Sequence, residues 1–165
     1  MGLKKLKHNK RYHLKNKKIK EIKKELGTYE ILIPPKTSVE MIETDGNFNI
    51  LVINNEPILL ELKDGKIIPT LKAVTNLDLS HKYVTVDMGA VTHIIKGADI
   101  MSPGIVDADT QIQEGDIITV IDENHKKPLA IGKSIITGQE MIDNQKGKAI
   151  KTLHFVGDEI WDFAI

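Results

Sequence analysis

Lysine, glycine, aspartate and methionine crowd into the run Lys96-Gly97-Ala98-Asp99-Ile100-Met101-Ser102-Pro103-Gly104. Lys96 supplies a positive charge. Gly97 and Gly104 have no side chain to keep a ligand from the backbone. Exposed backbone N–H groups beside Lys96 would seat a phosphate. Asp99 would accept a hydrogen bond from a ligand hydroxyl or amino group, or fix the turn. Met101 suits a groove wall and a core position equally. The candidate site is therefore Lys96, Gly97, Ala98 and Asp99, with Met101, Pro103 and Gly104 beside them.

Other chemistry finds weaker support. Gly132-Lys133-Ser134 ends like a P-loop, but Lys127 stands where the first glycine is needed. There is no G-x-S-x-G elbow and no H-E-x-x-H pair. The six histidines are scattered without metal-ligand spacing, and His93 reads as a surface or packing residue. Cysteine is absent, which excludes disulfides and thiolate sites. Asp87 and Asp107 are explained by capping and turn formation more cheaply than by general-base chemistry. No catalytic residue, metal or cofactor is expected.

A second cluster is electrostatic. The 165 residues carry no net charge. Residues 1–27, however, hold 11 Lys/Arg against 2 Asp/Glu, a charge of +9, and the rest balances it at −9. Such a basic segment meets nucleic acid or another polyanion, or is a solvated tail. Lys17, Lys20 and Lys24 share one side of an expected helix over Leu14–Leu26. Ile19, Ile22 and Leu26 form its docking face, and Gly27 ends it. Residues 1–12 read as a frayed tail. With no run of about 18 apolar residues and no apolar N-terminal segment, a soluble cytoplasmic protein is expected. Aromatics are only 4%, so the cores must be aliphatic.

The elements that position these clusters follow from periodicity and turn chemistry. Tyr29–Ile33 reads as a strand closed by Pro34-Pro35. Asp45-Gly46, Asn54-Asn55 and Asp64-Gly65 separate Val39–Thr44, Asn47–Ile53, Ile58–Lys63 and Lys66–Ile68 into an antiparallel meander. Asp-Gly favours a type I′ turn, with positive φ at both central residues. A short helix is expected over Thr70–Val74, and a domain boundary at Asn76–His81. The two halves are expected to pack together.

Val84 and Val86 alternate with Thr85 and Asp87 as in a half-buried strand. A short helix through Ala90, Val91, Ile94 and Ile95 follows, with Gly97 as its left-handed terminating residue. Asp116–Ile121 reads as a strand buried on both faces. Leu129–Ile136 is the next strand, and Gly132 within it implies a close backbone or ligand. Thr137 and Glu140 form a capping box. Lys148–Val156 and Glu159–Phe163 read as a hairpin over Gly157-Asp158. Trp161, Phe163 and Ile165 would share one strand face, in the core rather than stacked on a base.

MGAVTHIIKGADIMSPGI, EGDIITVI, PLAIGKS and the closing IWDF resemble a PUA domain, from about Lys82 to Ile165. The lysine-rich helix, NEPILLEL and IIPTLKAV are similar to the domain preceding that module in the malignant-T-cell-amplified-sequence proteins and their archaeal stand-alone relatives. The resemblance implies an α+β chain. Residues 1–80 would form a basic helix on an antiparallel meander, and residues 82–165 a PUA pseudo-barrel.

It also implies a non-catalytic RNA-binding protein of translation, acting in initiation or subunit recycling. Its partners would be structured RNA, namely tRNA or the small ribosomal subunit, and a small initiation-factor-like protein. Lys17, Lys20 and Lys24 would contact phosphates while the Lys96–Gly104 run reads structure. Two alternatives stand beside this: an RNA-targeting subunit of a pseudouridine- or archaeosine-type modifying enzyme, and a pure protein-interaction module.

Overall fold

The computed structural model describes residues 7–75 and 82–163. They divide into two compact α+β units, the first built from 7–75 with 162–163 and the second from 82–161. The expected boundary at Asn76–His81 lies outside the described residues, as do residues 1–6 and Ile165.

The first unit is a five-stranded antiparallel meander in chain order. Its strands are β1 (His8–His13), β2 (Val39–Thr44), β3 (Phe48–Ile53), β4 (Glu56–Leu62) and β5 (Ile67–Pro69). Helix α1 (Asn16–Leu26) precedes β2, and α2 (Leu71–Thr75) follows β5. Ile22 and Leu26 of α1 are buried with Val39, Met41, Leu51 and Leu59. Ile19 packs at the margin of that core. Thr70 caps α2, accepting from the Ala73 N–H at 3.2 Å and donating to the Pro57 carbonyl at 3.0 Å.

Residues 8–13 are no frayed tail but the edge strand β1, paired with β2. Arg11 holds Glu40 through Nε at 2.6 Å, and Tyr12 donates to Glu43 at 3.1 Å. Tyr29–Ile33 is no strand, because Gly27–Leu32 forms a 3-10 helix. There the Ile33 N–H turns back to the Glu30 carbonyl instead of joining a ladder.

Only Asn54-Asn55 has positive φ at both residues, as a type I′ turn requires. Asp64-Gly65 has it at Gly65 alone, and Asp45-Gly46 at neither. The latter loop is instead closed by Thr44, whose hydroxyl accepts from the Gly46 N–H and donates to the Phe48 carbonyl.

The second unit holds β6 (Tyr83–Val86), α3 (Met88–Ile94), β7 (Ile100–Met101), β8 (Ile105–Ala108), β9 (Ile117–Asp122), β10 (Pro128–Ser134), α4 (Gly138–Asp143) and β11 (Lys148–Phe155). The strand order is β7-β11-β10-β9-β6-β8. The two ends of that order, β7 and β8, are joined in sequence by the 3-10 turn Ser102–Gly104. The sheet therefore curls back on itself as a pseudo-barrel.

β6 runs parallel to β9 and antiparallel to β8. That central place buries Thr85 as well as Val84 and Val86, so the strand is not half-buried as its alternation implied. The core is aliphatic, with Ile94, Ile100, Ile112, Ile118, Val120 and Ile150 at its centre.

Gly132 is needed for close approach. A Cβ there would stand 2.4 Å from Ile150 Cγ2 and 2.9 Å from the Lys151 carbonyl on β11. Thr137 and Glu140 make both bonds of the capping box that starts α4. Among the described residues no strand follows β11. The Asp158 carboxylate takes the N–H groups of Phe155, Ile160 and Trp161, which removes them from any ladder. Trp161 is thus a half-buried turn residue rather than part of a strand face.

Candidate nucleic-acid interface

Helix α3 is fixed at both ends. Asp87 caps its start, accepting from the Ala90 N–H at 2.8 Å. Its end has the bond pattern of a Schellman motif: Gly97 N–H to the Ile94 carbonyl at 2.9 Å, and Ala98 N–H to His93 at 3.1 Å. Gly97 takes the required positive φ, 90°. The Lys96 N–H also donates to His93, at 3.1 Å. All three N–H groups of Lys96–Ala98 are therefore spent inside the turn, and the expected phosphate seat on them is lost.

The bare face of Gly97 is not open either, since a Cβ there would meet the Phe155 ring at 3.0 Å. Glycine serves the helix stop and the packing on Phe155 rather than ligand access. Lys96 itself is exposed.

Between α3 and the β7–β8 turn lies a groove of about 680 Å³. Ala90 and Ile94 form the helix side; Ile100, Met101, Pro103 and Gly104 form the strand side. Met101 is 48% exposed, which places it in the groove wall and not in the core. The structure thus brings Ala98, Asp99, Met101, Pro103 and Gly104 to one concave surface, while Lys96 and Gly97 lie on the adjoining turn. His93 is exposed and borders the same groove.

The polar end of the groove holds the Asp99 carboxylate. Its Oδ1 accepts from the Thr152 N–H at 2.9 Å, and its Oδ2 sits 2.9 Å from Lys148 Nζ. Thr152 also donates its hydroxyl to the Ala98 carbonyl at 2.9 Å. Partial burial pushes the Asp99 carboxyl up, but the Lys148 ammonium and the Thr152 N–H outweigh it and hold the group below the usual carboxylate range. Asp99 therefore ties the turn after α3 to β11, with one partner on each of its oxygens.

Lys148 was missing from the expected site. No local motif marks it, and it reaches the groove only because β7 pairs β11 with Met101 opposite Lys148.

Lys17, Lys20 and Lys24 belong to the other unit. All three are exposed on α1, on the side away from Ile22 and Leu26. Among the described residues, no three His, Cys, Asp or Glu side chains are placed to hold a metal ion, and no helix is long and apolar enough to cross a membrane.

Comparisons with known proteins extend this geometry. The PUA domain family model matches residues 82–156, and the model described as Domain of unknown function (DUF1947) matches residues 10–77. An uncharacterized protein of Methanocaldococcus jannaschii is 49% identical over 158 residues, covering 93% of this chain and 96% of that protein. Translation machinery-associated protein 20 of Saccharomyces cerevisiae is 30% identical over 158 residues, covering 92% and 87%. A crystal structure of a hypothetical protein from Pyrococcus horikoshii OT3 has a TM-score of 0.83 at 38% identity, covering 93% of this chain and 98% of that one. The chain belongs to the PUA-domain family that includes translation machinery-associated protein 20 and the malignant T-cell-amplified sequence proteins.

Proposed function

We propose that this chain is a non-catalytic RNA-binding protein of translation. It binds structured RNA, tRNA or small-subunit ribosomal RNA, during initiation or subunit recycling. The observation that carries this reading is its likeness, over nearly the whole chain, to a protein named for the translation machinery. The groove beside α3 supports it, with Ala98, Asp99, Met101, Pro103 and Gly104 on its surface and Lys96 adjoining. The exposed Lys17, Lys20 and Lys24 supply phosphate affinity, which carries little sequence information. A small initiation-factor-like protein is the expected partner, in the cytoplasm.

Crosslinking in cells, followed by sequencing of the bound RNA, tests the reading. Enrichment of tRNA or small-subunit ribosomal RNA is expected, with the chain co-sedimenting with small subunits. Co-purification with an RNA-modifying enzyme instead would assign the chain to targeting of that enzyme. Loss of all RNA crosslinks would leave a protein-interaction module.

A further inference from the structure

We propose that Lys148, held in place by Asp99, selects the RNA in the groove by donating hydrogen bonds to a carbonyl-bearing edge of an unpaired nucleobase. The inference rests on the RNA-binding reading above and names the residue that does the reading.

The groove walls are apolar, formed by Ala90, Ile94, Ile100, Met101 and Pro103. Its volume of about 680 Å³ falls in the range of small-ligand sites. Such walls suit the flat face of an unstacked base better than a hydrated phosphate. Asp99 borders the groove with each oxygen already holding one partner, Thr152 on Oδ1 and Lys148 on Oδ2. Lys148 is the one lysine or arginine among the described residues lining the groove, and its side chain is about half exposed at 52%. An ammonium has three donors, and the bond to Asp99 uses one. The remaining donors are carried by a head group whose direction that bond fixes.

Charge separates this role from phosphate binding. The Lys148–Asp99 pair is neutral as a unit, so it adds little to long-range attraction of a polyanion. It retains directional donors. Guanine, cytosine and uracil present carbonyl oxygens to such a donor, and adenine does not.

The test uses the full chain and a hairpin RNA with a short single-stranded 3′ tail of cytosine, uracil or adenine. Binding is read by fluorescence anisotropy at several salt concentrations. Wild type is expected to favour the cytosine and uracil tails about tenfold over adenine, as one charge-assisted hydrogen bond allows. Lys148→Met, which has no donor, should cut that preference to about twofold and leave the slope of log K against log salt unchanged. Lys148→Arg, which keeps donors, should retain part of it. Each variant is first checked for an unchanged melting temperature. Equal losses on all three tails, with the slope shallower by about 0.7, would make Lys148 a phosphate contact and overturn the proposal. An unchanged preference in Lys148→Met would overturn it as well. A wild-type chain that binds none of these RNAs would overturn the RNA-binding reading itself.

Discussion

The carboxylate of Asp158 stands 2.7 Å from the His154 ring nitrogen and accepts from the N–H groups of Phe155, Ile160 and Trp161 at 2.9 to 3.0 Å. Both side chains are buried. Burial alone would push the Asp158 carboxyl up, but His154 and the backbone donors outweigh it and hold the group below the usual carboxylate range. Its folded value is thus below its unfolded value of about 4. The stabilisation is complete above that unfolded value and is lost as pH falls through the folded one. Asp158→Asn is expected to cost about 2 kcal/mol at neutral pH, since a charged acceptor of several bonds is removed. Its urea midpoint should also fall less steeply than that of wild type as pH drops below about 4. Urea unfolding at neutral and acid pH reads both effects. Equal midpoints at neutral pH would show that the turn holds without this network.

At the scale of the element, β10 and β11 lie closer at Gly132 than a side chain permits. The register shift between Ile131 and Gly132 in that pairing marks the same place. Gly132→Ala is expected to destabilise the chain by about 1–3 kcal/mol, because Ile150 or the strand itself must shift. Gly89→Ala is the matched control. It lies in α3 with only an Asp87 carboxylate oxygen at 3.3 Å from the added Cβ, and alanine is the better helix former. Thermal melting of both variants should show a lower midpoint for Gly132→Ala alone.

For the whole molecule the governing feature is the division of charge, +9 on residues 1–27 and −9 on the remainder. If about four lysines of the basic segment meet phosphates, log K for RNA should fall with log salt by a slope of roughly 3 to 4. Changing Lys17, Lys20 and Lys24 to Glu is expected to flatten that slope without lowering the melting temperature, since all three are exposed. Lys96 offers the contrast. Lys96→Glu should weaken structured RNA far more than heparin, whereas Lys20→Glu should weaken both alike. Equal losses on both ligands would reduce the turn after α3 to part of a general basic surface.

What the sequence alone determined was local and repetitive. The helix face Ile19, Ile22 and Leu26, the strand Val39–Thr44, the capping box at Thr137 and the left-handed stop at Gly97 each rest on residues a few positions apart. Near neighbours suffice for periodicity, caps and helix stops, so these were legible. The resemblance to the PUA family was legible too, because MSPGI after KGAD is an uninterrupted run.

Tertiary structure decided whatever depended on a distant partner. β1 is polar on both faces and carries no period. It is a strand because β2 pairs with it and Glu40 and Glu43 receive its side chains. Glu159–Phe163 has the residues of a strand, but Asp158 captures the N–H groups that a ladder would need. Asp99 read equally as a ligand acceptor or as a residue that fixes the turn, and β11 brought Thr152 and Lys148 onto its two oxygens. Lys148 itself, alone at the start of a strand, joins the groove only through its pairing across from Met101. A hydrogen bond or ion pair to a residue far along the chain leaves no pattern near either partner, so only the folded arrangement supplied these contacts.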